Sequence, residues 1–405
     1  MLTHWIWFAH RPGVSDRLKA VLMEHFCDPE DIFYADEAAL RGLPELNREA
    51  LEGLLDKNLT SSEEILEVCD RKQLHLLTYQ DAGYPARLKN IPDPPMVLYY
   101  KGRLPEFDAY PTIGIVGTRK ASAYGLTAAK RLGYQIGKCG GIVVSGLAFG
   151  IDGTAMSGAL TAGGKTVGVL GCGADIVYPP SNGALFRDVE RYGCILSEFA
   201  PGTPPAKWTF PKRNRIISGL SNGVLVVEAP ERSGALITAA TALEQGREVF
   251  AVPGPFDAPM SRGTNALIRE GAGLVCEAWD VLSFYESRYP HKLRPLRAKL
   301  PPLPKGSTPP EDEAAPAEPA APAAPSAPAL PVLDISHDPA GLTDDQIAVL
   351  SVLQTDVPTL TDDAALLTDL PVRRVLSALT VLEIDGYVSR QGTRSFLRTG
   401  ELKKE

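Results

Sequence analysis

From residue 112 onward the chain carries six short apolar runs: TIGIV (112–116), GIVVS (141–145), TVGVL (166–170), CILS (194–197), GVLVVE (223–228) and EVFAVP (248–253). Runs of this length, apolar throughout rather than alternating, are buried on both faces, which is the signature of parallel strands covered by crossover helices. The segments between them, such as Tyr124 to Lys138 and Ala235 to Gln245, are long enough to be those helices. The expected fold class is therefore α/β, a doubly wound, mostly parallel Rossmann-like sheet. Ligands of such sheets sit outside the carboxyl ends of the strands, so the turns after each run are the places to look for function.

The 405 residues exceed what one compact core usually holds. Residues 301 to 331 hold 11 Pro and 9 Ala, a composition that favours a semi-rigid extended linker. The expected organisation is a helical domain over 1–76, an extended connector over 77–110, the sheet domain over 111–288, a Pro/Ala-rich linker over 289–340 and a C-terminal module over 341–405. In the first segment Ser15 can cap a helix carrying Leu18, Val21 and Leu22, and Ser61-x-x-Glu64 reads as a capping box before Ile65, Leu66, Val68 and Cys69. Pro85, Pro92, Pro94 and Pro95 mark the connector. In the last module Leu376, Leu379 and Leu382 form a helix stripe, and Tyr387 to Leu397 reads as a hairpin turning at Gln391-Gly392. Helices followed by a β wing suggest a winged helix.

Hydrophobic residues make up 44% and charged residues 22%, with a mean hydropathy of -0.05, ordinary values for a globular protein. No apolar run approaches the roughly 18 residues of a membrane span, and MLTHWIWFAHRPG lacks a signal-peptide pattern. The expected location is cytoplasmic. The six cysteines show no C-x-x-C pair, which argues against structural zinc and a disulfide framework. Net charge is -8 overall, yet Tyr110 to Tyr285 holds 16 Lys and Arg against 13 Asp and Glu, so the acidity lies elsewhere, mostly in the tail. That middle segment contains no histidine. A Ser-His-Asp or Cys-His arrangement within the sheet is excluded, as is a histidine-rich metal site. Asp152, Asp175 and Glu228 leave a carboxylate mechanism open, although capping and loop bracing are the simpler roles for them. No cofactor is expected: G-x-G-x-x-G is missing, and the second strand ends in Ser145-Gly146 rather than the acidic residue that holds a ribose.

The turns carry a consistent chemistry. The first strand runs into Gly117-Thr118-Arg119, then Ser122 and a helix start, a geometry suited to phosphate, with Arg119 adding a planar fork. The second runs into Ser145-Gly146-Leu147-Ala148-Phe149-Gly150-Ile151-Asp152, beside the first in one crevice. Ser233-Gly234 after the fifth strand and Thr264-Asn265 after the sixth put further donors at helix starts. Most telling is Lys207-Trp208-Thr209-Phe210-Pro211-Lys212-Arg213-Asn214-Arg215, in which four cations and two aromatics interleave. That combination neutralises a backbone and offers faces on which unpaired bases stack. Ile216, Ile217 and Leu220 beyond it look like the core face of a helix.

Taken in order, GTRKASAYG, SGLAFGID, VLGCGADIVYP, LSEF, FPKRNRIISGLS, VVEAPERSGALIT and AVPG with GTNALI resemble DNA-processing protein A, the DprA/Smf family, from about Thr78 to Cys276. The resemblance implies a helical SAM-like domain, an extended Rossmann-like domain and often a winged-helix tail. It also implies a non-catalytic role: binding incoming single-stranded DNA and loading the RecA recombinase onto it in natural transformation, as a homodimer through the Rossmann-like domain. Carried over by motif, Arg119 and Lys207 would pair with phosphates and Phe210 would stack on a base. Lys212, Arg213 and Arg215 would line the same pocket, while Gly117, Ser145, Gly146 and Asn214 would shape its turns. The family usually continues after GID with an alanine-rich turn and a histidine, where this chain has Gly153-Thr154-Ala155-Met156-Ser157. The competing enzyme reading is a LOG-like nucleotide phosphoribohydrolase. Its P-G-G-x-G-T-x-x-E loop is matched here only by EAPERSGALITAA, without the double glycine and the glutamate.

Overall fold

The structure is a computed structural model that describes residues 1–296, 332–334, 342–355, 359–390, 395–399 and 401–403. The chain divides into two compact units, Met1–Leu303 and Pro304–Glu405.

In the first unit the six apolar runs form the centre of a nine-stranded sheet. Its strands are β1 (His75–Thr78), β2 (Val97–Gly102), β3 (Thr112–Val116), β4 (Ile142–Ser145), β5 (Thr166–Val169), β6 (Cys194–Ser197), β7 (Gly223–Val226), β8 (Glu248–Ala251) and β9 (Gly273–Leu274). They lie in the order β1-β2-β6-β5-β4-β3-β7-β8-β9. All neighbours from β6 to β9 run parallel. β1 and β2 add an antiparallel edge. That edge corrects the sequence expectation, which had only helices and an extended connector there. Thr78 and Val97 pair although the proline-rich stretch lies between them.

Side chains alternate across the sheet as burial on both faces demands. Ile113 and Ile115 join one apolar cluster with Leu132, Ile136 and Met156. Val224 and Val226 join another with Ile216, Ile217, Leu220 and Ala239. The helices Ala123–Lys138 and Ile151–Thr161 approach so closely that a Cβ on Gly133 would collide with the Ala155 carbonyl. Glycine is needed there for contact rather than for its backbone freedom.

The N-terminal helices are not a separate layer of polar contacts. Trp7, Phe8, Leu22 and Leu54 belong to the same apolar cluster as Tyr99 of β2. Ser15 caps the Asp16–His25 helix as expected, its hydroxyl accepting from Leu18 N–H at 3.2 Å. The capping box at Ser61 does not form. The helix starts earlier, at Thr60, whose N–H donates to Asn58 Oδ1 at 2.8 Å. Residues 289 to 296, expected to open the linker, pack on this body: Tyr289 and Leu293 are buried, and the Tyr289 hydroxyl accepts from Arg87 at 2.6 Å. The Pro/Ala-rich stretch lies outside the described residues.

The second unit holds the helices Asp344–Val352, Thr361–Thr368 and Val372–Ile384. Its antiparallel strands Val388–Arg390 and Ser395–Arg398 pair, and Thr359–Leu360 joins them. Val375, Leu379 and Leu382 face its core with Phe396, whereas Leu376 is exposed, so the helix stripe is offset from the sequence expectation. The turn at Gln391-Gly392 lies outside the described residues. Among the described residues no helix is long and apolar enough to cross a membrane.

Candidate functional site

The chain leaves β3 toward β4, β5 and β6 on one side, and leaves β7 toward β8 and β9 on the other. The loops after β3 and β7 therefore part company, and a crevice opens between two adjacent strand ends. A cleft of about 680 Å³ occupies that place. Its walls include Gly117 and Arg119 after β3, Lys207, Phe210, Arg213 and Asn214 around the start of the Thr209–Leu220 helix, and Arg232, Ser233 and Gly234 after β7. These join eight of the residues singled out from sequence.

The cleft combines charge with a flat apolar surface. The Arg119 guanidinium lies 4.8 Å from the Phe210 ring centroid. Tyr178 packs against the other side of the site, its ring centroid 5.7 Å from that of Phe210. Lys207, Arg119 and Arg232 are exposed and make no ion pair among the described residues. Thr209 anchors the helix start, its hydroxyl shared between the carbonyl of Gly171 just past β5, at 2.5 Å, and that of Ala206, at 2.8 Å. Ser233 caps the Gly234–Glu244 helix, accepting from Ala235 N–H at 3.3 Å.

Arg213 points inward. It is 4% exposed, donates to the Val169 carbonyl and reaches Asn214 Oδ1 at 3.2 Å. Burial lowers its pKa to about 10, against the pull of the Asp152 carboxylate. Asp152 is the one carboxylate in the cleft lining among the described residues. Burial raises its pKa, opposed by Arg213 and by the Gly146 N–H that it accepts at 3.1 Å. Gly146 has to be glycine, since a Cβ would fall on the Arg213 guanidinium.

The other residues expected at the site lie elsewhere. Lys212 pairs with Asp16 at 2.8 Å and lies 3.8 Å from Glu198. Arg215 is buried between Glu198, Asp16 at 3.2 Å and Asp93 at 3.4 Å. Both brace the helix against the N-terminal layer instead of facing the cleft. Ser122 caps the Ala123–Lys138 helix and donates its hydroxyl to Glu228 at 2.6 Å. Ser145 is fully buried, its hydroxyl on the Ile115 carbonyl at 2.6 Å. Thr264 is buried, and Asn265 clasps the Gly254 backbone at 3.0 and 3.1 Å. Arg232 and Tyr178 are the cleft residues that sequence reasoning passed over. The signal for Arg232 was its place beside the Ser233-Gly234 turn and that for Tyr178 its place in the VLGCGADIVYP run, although only the fold brings that loop to Phe210.

A family model described as DNA recombination-mediator protein A matches residues 75–286. The chain is 39% identical over 284 residues to Protein Smf of Synechocystis, covering 69% of this chain and 71% of that protein. It is 44% identical over 217 residues to DNA processing protein DprA of Bacillus subtilis, covering 54% of this chain and 73% of that one. The X-ray structure of DNA processing protein A from Streptococcus pneumoniae matches with a TM-score of 0.62 at 33% identity, over 70% of this chain and 98% of that one. A doubly wound sheet with this crevice and these ordered turns, matched over most of the first unit, places the chain in the DNA-processing protein A family.

Proposed function

We propose that the cleft binds single-stranded DNA without base-sequence preference and that the protein acts as a non-catalytic recombination mediator. The observation that carries this reading is the stacking of the Arg119 guanidinium on Phe210 in a cleft whose free charges are all positive. Phosphates meet Arg119, Lys207 and Arg232, and a base lies against Phe210, a sequence-tolerant mode because every base has a π face. Among the described residues the one carboxylate in the lining, Asp152, is buried and accepts from the Gly146 N–H, a bracing role for the turn after β4.

Loading of RecA in natural transformation and action as a cytoplasmic homodimer belong to the same proposal. For the homodimer, support lies in the edge strand β9 and its flank, where Leu274 and Phe284 are 51% and 59% exposed. The N-terminal helices fit a SAM-like domain. The second unit fits a winged helix, with three helices followed by paired strands, in a protein-contact role suited to its acidic tail.

The test is fluorescence anisotropy of labelled oligothymidine and of matched duplex, titrated over a salt series. Wild type should prefer the single strand, with a slope of log affinity on log salt of about -0.7 per phosphate neutralised. Arg119→Ala with Lys207→Ala should weaken binding more than tenfold and flatten that slope by about 1.4. Equal affinity of the double variant would sink the assignment.

A further inference from the structure

Trp208 sits immediately before the Thr209–Leu220 helix and is 63% exposed. Its ring meets Phe199 edge-on, with centroids 5.7 Å apart and planes at 77°. Phe199 is itself buried, and Lys212, held by Asp16, lies 5.9 Å from its ring centroid. The indole therefore rests on a fixed support while most of its surface faces water. Burial of a large apolar side chain is worth a few kcal/mol, and an indole this exposed forgoes most of that gain. Packing on Phe199 does not account for a tryptophan here.

Its position relative to the cleft does. Along the carboxyl edge of the sheet, β3, β4, β5 and β6 are successive neighbours. Arg119 follows β3, the Phe210 ring covers Gly171 just past β5, and Phe199 lies just past β6. The flat surfaces advance in strand order, with β5 and β6 only about 4.8 Å apart. Two residues apart at a helix start, Trp208 and Phe210 point in different directions, one toward the β6 side and one into the crevice.

We propose that Trp208 is a second base-stacking platform, on which a single strand leaving the Phe210 crevice lays a further base. The track then continues across the ends of β5 and β6 instead of ending at Phe210. This inference rests on the reading of the cleft as a single-strand site.

The chain has four tryptophans: Trp5 and Trp7 are buried, Trp279 packs partly buried against the same core, and Trp208 is exposed. All four contribute to intrinsic emission, but a bound base can stack on and quench only the exposed Trp208, so the quenchable part of the signal reports on it. The full chain is titrated with oligothymidine and with an abasic phosphodiester oligomer, following emission and anisotropy together. Oligothymidine should quench wild-type emission at the same midpoint as the anisotropy change, and the abasic oligomer should bind without quenching. Trp208→Phe should keep affinity within about twofold and lose the quenching, whereas Trp208→Ala should bind oligothymidine about tenfold more weakly, as the loss of one stacked base implies. The abasic oligomer should bind both variants like wild type. Normal anisotropy with unquenched wild-type emission overturns the platform while leaving the cleft assignment in place. Trp208→Ala binding oligothymidine like wild type, or losing the abasic oligomer equally, overturns it as well. Flat anisotropy in the wild type overturns the cleft assignment and this inference with it.

Discussion

Arg213 is a cation whose ligands are the protein's own. Its guanidinium is fixed by the Val169 carbonyl and Asn214, and its charge is balanced at longer range by Asp152. Breaking such a buried arrangement on one side leaves a desolvated charge uncompensated. Asp152→Ala, which leaves the Gly146 N–H without its acceptor, should lower the urea midpoint by an amount equivalent to about 1–3 kcal/mol, while Asp152→Asn, which can still accept from Gly146 N–H, should cost less. An unchanged midpoint for the alanine variant would mean that the carbonyl contact alone satisfies Arg213. Lys207, six residues earlier and exposed ahead of the helix, should tolerate alanine with no loss of stability. That contrast separates a structural cation from one free to meet a ligand in a stretch where every cation is a Lys or an Arg.

The Thr209–Leu220 helix shows why some of this was readable from sequence and some was not. Its core face at Ile216, Ile217 and Leu220 follows from helical spacing, and all three are buried. The parallel strands were equally plain, as continuous apolar runs, four of the six closed by glycine or proline. The roles of Lys212 and Arg215 were hidden because the partner Asp16 stands 199 residues before Arg215. Likewise β1 and β2 gain their identity from pairing, β2 with β6 and β1 with β2, not from their own short and partly polar sequences. Asp16 ties this helix to the N-terminal layer. Although burial pushes its carboxyl up, Lys19, Arg215 and Lys212 outweigh that and bring it down to about 2. The folded value lies below the roughly 3.9 of an unfolded aspartate. Its contribution is therefore complete above about pH 4 and is lost as pH falls toward 2. Asp16→Asn should lower stability at pH 7 by about 2 kcal/mol and flatten the acid side of the stability profile, measured by urea unfolding at pH 7 and pH 3.

At the scale of the whole molecule, the two units have separate apolar cores. All of the cleft residues lie in the first. A chain ending at Leu303 should fold and should bind oligothymidine within about twofold of the full protein, since phosphate and stacking contacts are local. A large loss of affinity in the anisotropy titration would assign strand contacts to the second unit.

Three of the four cations between Lys207 and Arg215 are satisfied within the protein, which leaves Arg119, Lys207 and Arg232 as the cleft's free charges. On the single-strand role proposed for the cleft, so small an electrostatic footprint favours rapid release of a short strand by any one copy. Lasting coverage of a long strand then becomes a collective property, in which neighbouring copies exchange one at a time while the strand as a whole stays occupied.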